Sequence, residues 1–171
     1  MATLPNDVRE RVTSYISHQA TKDPDAIRAI VQQGHDQLLG VLDGLSEEQA
    51  RFKPGADDWS VLEVMGHAAP AQSSVARVCG ALARGETPAR LQGESGAFGS
   101  LEEALAAFQS GFEELLAFVG TLSADSNVEA RFDHPFFGPL NCREWAVFQR
   151  VHDGDHAQQI EQIKAAPGFP A

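Results

Sequence analysis

Between Ser100 and Leu122 the apolar residues Leu101, Leu105, Phe108, Phe112, Leu115, Val119 and Leu122 recur at alternating steps of four and three. That spacing puts them on one face of an α-helix and excludes a strand, whose faces alternate every second residue. The same period returns in three more segments. Ile27, Val31, Leu38, Leu42 and Leu45 follow Asp23-Pro24, an acidic cap and then the residue best suited to open a helix. Val64, His67, Ala71, Val75, Val78 and Leu82 follow Ser60, and Trp145, Phe148, His152, His156, Gln159 and Ile163 follow Asn141. Ser60, Ser100 and Asn141 each have a Glu three residues later, the pattern of a reciprocal capping box.

Main helices are therefore predicted at residues 24–43, 60–83, 100–122 and 141–164, each about 30 Å long, with a shorter helix before them near residues 5–19. Amphipathic helices of equal length bury their stripes against one another, so the expected fold is all-α. It is a single up-and-down four-helix bundle domain over residues 1–171, with an additional short N-terminal helix. Two connections, 84–99 and 123–140, exceed what a tight turn needs, and read equally as surface linkers or as the rim of a pocket.

Charge narrows the function classes. Thirteen Lys and Arg against 24 Asp and Glu leave a net charge of -11, which repels phosphate backbones and anionic lipid headgroups. Neither nucleic acid nor membrane is an expected partner. No window approaches the roughly 20 apolar residues of a membrane span, and Met1 to Asp7 carry no basic stretch followed by an apolar run. A cytoplasmic location is the expectation. The two cysteines, Cys79 and Cys142, form no Cys-x-x-Cys arrangement and are expected to be reduced thiols.

Imidazoles interrupt two of the apolar stripes. His152 and His156 are four residues apart, about 40° round a helix, so both can reach one cation. Trp145, Phe148 and Ile163 point the same way, which turns the pair toward the interior. His67 stands likewise between Val64 and Ala71. Imidazoles among apolar residues are costly unless each finds a partner, and one divalent cation satisfies all three through neutral lone pairs. A core histidine satisfied by a carbonyl or hydroxyl is the simpler alternative for each ring taken alone. The depth at which His67 meets the other two depends on the loops. Pro70 complicates it, because it removes the helix bond to the Gly66 carbonyl. The resulting kink either displaces His67 or widens a pocket beside it.

Trp59-Ser60-Val61-Leu62-Glu63-Val64 with His67, the segment 133–138 leading into Trp145, and His152-Asp153-Gly154-Asp155-His156 with Gln159-Ile160 resemble the corresponding parts of the DinB-like family, the DinB and YfiT type metalloenzymes. The stretch from Gly40 to Pro54 resembles that family's first interhelical segment, and the similarity runs over roughly residues 25–165. The resemblance implies a four-helix bundle with His67, His152 and His156 as metal ligands. It also implies thiol S-transfer or hydrolysis as the reaction class, and homodimerisation, which is common in similar proteins.

Three His ligands leave at least one coordination position for water or substrate, unlike a closed structural site. Zinc and nickel suit imidazole best, and iron is compatible. The expected function is that of a divalent-metal-binding protein acting on a small molecule, with a low-molecular-weight thiol as one candidate partner. A non-catalytic stress or interaction scaffold with a structural or vestigial metal site is the alternative. No catalytic residue is assigned. Glu63 is explained by its cap. Gln149, Gln159 and His35 are candidate substrate-binding residues because they lie beside the ligand face or the first stripe. Asp153 and Asp155 flank that face and read as a solvated rim, and His134 is a rim candidate by resemblance. Cys79 is about 18 Å along its helix from His67, and Cys142 about 15 Å from His152, too far to ligate. A di-iron carboxylate site fails, because the last helix lacks a Glu three residues before either His.

Overall fold

The computed structural model describes residues 5–89, 96–123 and 125–171. Helices α1 (Asn6–Ala20), α2 (Pro24–Leu42), α3 (Glu47–Arg51), α4 (Val61–Ala83) and α5 (Leu101–Val119) precede a hairpin of β1 (Phe132–His134) and β2 (Gly138–Leu140), and α6 (Cys142–Lys164) ends the fold. The starts follow the capping signals. Asp23 accepts the amide of Ala26, and Ser60 with Glu63 and Asn141 with Glu144 form capping boxes at α4 and α6. At α5 the device differs from expectation: Ser100 accepts from the Glu103 amide, but the Glu103 carboxylate bonds the amide of Gly99 instead of reaching Ser100. The extra helix α3 has its own box, Ser46 with Gln49, in a stretch the apolar pattern leaves as a break.

Helices α2, α4, α5 and α6 form the bundle. α4 packs on α5 and α6, α2 packs on α6 and α5, and α1 lies against α6. Two buried clusters fix the directions. One unites Ile27 and Val31 of α2 with Val75 to Leu82 of α4, Phe112 to Val119 of α5 and Cys142 to Phe148 of α6. The other unites Leu38 and Leu42 with Val61 to Ala69, Leu101 to Phe108 and Ala157 to Ile163. The first halves of α2 and α6 thus share an end with the second halves of α4 and α5. The four-helix bundle is as expected, but its directions do not strictly alternate: α4 and α5 run the same way. The physical reason is that the residues leading into α5 lie beside the first part of α4, where the Gly96 amide reaches the Gly66 carbonyl at 2.7 Å.

That bond also resolves the question of Pro70. The helix continues through it, and the carbonyl that Pro70 leaves without its helical donor accepts from Gly96. Gly34 lets α2 and α6 approach closely, since a Cβ there would lie 2.9 Å from the Arg150 Cα. The hairpin, unexpected from the sequence, pairs Phe132 with Leu140 and His134 with Gly138, whose φ of 73° suits glycine. Among the described residues no helix is long and apolar enough to cross a membrane.

Candidate metal centre

The two apolar clusters leave a polar layer between them. On α2 the gap falls at His35, on α4 at Gln72, and on α6 between Gln149 and His156. His67 on α4 meets His152 and His156 on α6 at this level. The Nε2 of His152 is 3.3 Å from the Nε2 of His67 and 3.3 Å from that of His156. One nitrogen from each ring lies within 4.8 Å of the others. Pro70 therefore does not displace His67 from the pair.

Three neutral imidazoles cannot all be satisfied by one another at this spacing, because an Nε2–H on His152 serves only one of the two Nε2 atoms that face it. The spacing suits an ion instead: metal–nitrogen bonds of about 2.0–2.1 Å in a tetrahedron give an edge of about 3.3 Å. The His156 tautomer agrees. Its Nδ1 is 3.1 Å from Gln159 Oε1, an acceptor only, so Nδ1 carries the proton and Nε2 the lone pair. Burial pushes the His156 pKa down to about 3, helped by His152, and burial followed by His152 also lowers that of His67. Both rings are neutral at pH 7, as a ligand must be. Among the described residues no fourth His, Cys, Asp or Glu joins the group, and all three rings keep partial exposure.

One wall near the centre is aromatic. The rings of Trp59 and His67 are 6.0 Å apart, and those of Phe148 and His152 5.7 Å. Trp59 is 43% exposed and borders a cleft of about 520 Å³ lined also by Lys53, Glu63 and Phe98. A second cleft, of about 500 Å³ between α1 and the hairpin turn, contains none of the three histidines.

The other candidates are placed as follows. Gln159 holds His156. Gln149 and His35 are 0% and 2% exposed. Gln149 donates to Asp153 at 2.7 Å, and His35 stacks on Phe112 with ring centroids 3.5 Å apart while its Nε2 meets Gln109. Neither offers surface to a substrate in this packing, because α6 and α2 bury more of their circumference than one stripe. Glu63 is engaged by Ser60 and by Lys53 at 2.6 Å, as its capping role requires. Cys79 and Cys142 are buried free thiols, their pKa values raised by burial.

Asp153 corrects the solvated reading: it is fully buried and accepts from Gln72 and Gln149. The signal was a second stripe on α6, Ala146, Gln149, Asp153, Ala157 and Ile160, at steps of three, four, four and three. His134 is also more than a rim residue. The amides of Phe136 and Phe137 donate to its Nδ1 at 3.2 and 3.3 Å, which fixes its proton on Nε2. Burial first and His152 second lower its pKa to about 4.

The family model described as the DinB superfamily matches residues 30–160. The chain belongs to the DinB superfamily. The match takes in His67, His152 and His156 together with the helices that carry them. A solved structure titled as that of TT2238, a four-helix bundle protein, is similar to this superfamily member at 26% identity and a TM-score of 0.65. The likeness covers 81% of this chain and 98% of that one. No curated protein matches the chain.

Proposed function

We propose that His67, His152 and His156 bind a single divalent cation, zinc or nickel before iron, with one side open to a small molecule. The observation that carries this is the convergence of the three rings, with His152 Nε2 at 3.3 Å, a tetrahedral edge, from the Nε2 of both His67 and His156, and no fourth protein donor beside them among the described residues. On this reading the chain is a metal-dependent enzyme that transfers a thiol or hydrolyses its substrate in the cytoplasm. When bound, the cation would supply Lewis acidity to whatever group is presented at the open side.

The protein's own groups would do the rest. Gln159 would hold His156 in the ligating tautomer. Trp59 and Phe148 would give the centre an apolar flank that excludes water from part of it. His134 would present a neutral Nε2–H donor on the hairpin side of Phe148, whose ring lies 4.3 Å from its own. Thiol transfer is favoured over hydrolysis because two described carboxylates near the histidines are not placed as general bases: Glu63 is committed to its cap and Asp153 is sealed from solvent.

Metal analysis of the native protein beside a His67→Ala variant tests the site. One equivalent per chain in the wild type, and at least a tenfold loss of affinity in the variant, is expected. The loaded protein should then be assayed for conjugation of a low-molecular-weight thiol to an electrophile and for ester and amide hydrolysis. A native protein with no metal that also fails to take up zinc or nickel would overturn the proposal. Metal uptake that changes only the melting temperature would leave the scaffold reading.

A further inference from the structure

The polar layer beneath the three histidines holds a carboxylate with no Lys or Arg beside it among the described residues. Asp153 is 0% exposed. Gln72 Nε2 donates to both of its oxygens at 3.0 Å and Gln149 Nε2 to one at 2.7 Å, so both oxygens act as acceptors, as in an ionised carboxylate. Among the described residues no Lys or Arg pairs with it. The nearest group able to bear positive charge is His152, whose Nδ1 is 3.9 Å from Asp153 Oδ1. In the same layer Gln72 Oε1, Gln149 Oε1 and His35 Nδ1 are buried and have no hydrogen-bond partner among the described residues. A buried anion with surplus acceptors is strongly unfavourable unless a positive charge lies close by.

We propose that Asp153 is a positioning residue for the metal centre, holding the His152 proton on Nδ1 so that Nε2 is free to ligate, and supplying the negative charge that balances the cation. The inference rests on the metal reading above. Gln149 Nε2 stands 3.4 Å from His152 Nδ1, donor toward ring nitrogen, a contact that suits a His152 proton on Nε2. Ligation through Nε2 requires that proton to move to Nδ1. There Gln149 Nε2, already donating to Asp153, cannot receive it, and the Asp153 carboxylate is the anionic acceptor on that side. A carboxylate behind a ligating imidazole raises its basicity and fixes its orientation, and its removal typically costs 10–100-fold in metal affinity.

The test compares wild type, Asp153→Asn and Asp155→Asn as full chains. Zinc affinity is read by competition with a chromophoric chelator, and thermal unfolding of each metal-free protein is followed separately. Asp153→Asn keeps the shape and removes the buried charge. It should bind zinc about 10–100-fold more weakly while its metal-free form melts no lower than wild type. Asp155→Asn should bind as wild type does. Equal affinity in wild type and Asp153→Asn overturns the inference while leaving the metal site standing, and an equal loss in both variants assigns the effect to net charge and overturns it too. A wild type that takes up no zinc overturns the metal reading itself. Should Asp153→Asn fail to fold, nitrogen-15 histidine NMR of zinc-loaded wild type decides: a slowly exchanging His152 Nδ1–H is expected, and its absence defeats the proposal.

Discussion

Burial disfavours protonation of an imidazole, and it lowers the pKa of three histidines near the proposed centre. The unfolded chain takes up protons on His67, His134 and His156 near the ordinary histidine value of 6.5, whereas in the fold all three values are lowered, to about 4 for His134 and about 3 for His156. Between those limits the unfolded state binds more protons, so stability falls as pH falls. Denaturant midpoints of the metal-free protein should be level above about pH 7 and decline from about pH 6.5 downward. His156→Gln should flatten the part between 6.5 and 5, before carboxylates contribute. At this scale the cluster of three histidines was legible in the sequence because their spacing put them on inward faces. Asp153 was not, because one helix stripe was read and α6 buries two.

At the scale of elements, the bond from Gly96 to the Gly66 carbonyl ties the segment just before α5 to the helix that carries His67. A Cβ at Gly66 would run into the Gly96 carbonyl, and backbone on both sides leaves little room to yield. Gly66→Ala should therefore destabilise the fold by about 1–3 kcal/mol, read from chemical denaturation. It should also speed proteolytic cleavage between α4 and α5. Capping chemistry was legible for α2, α4 and α6, where a single side chain and the next turn decide the matter. At α5 the carboxylate of Glu103 went to Gly99, a choice set by how the preceding segment arrives.

For the whole molecule, the division of the core into two apolar clusters with a polar layer between them makes the centre the natural place for a ligand to add stability. At zinc concentrations of about 100 times the dissociation constant the folded state should gain about 2.7 kcal/mol. Calorimetry with and without a chelator should show a higher melting temperature in zinc, and His67→Ala should abolish most of that difference. The apolar periods, the caps and the inward imidazoles were fixed by sequence alone, because each depends on the 3.6-residue turn and on groups within a few positions of one another. The parallel run of α4 and α5, the meeting of His67 with the α6 pair and the burial of Asp153 were decided only by tertiary packing. Each depends on where a long connection delivers a distant helix, and local periodicity carries no information about that.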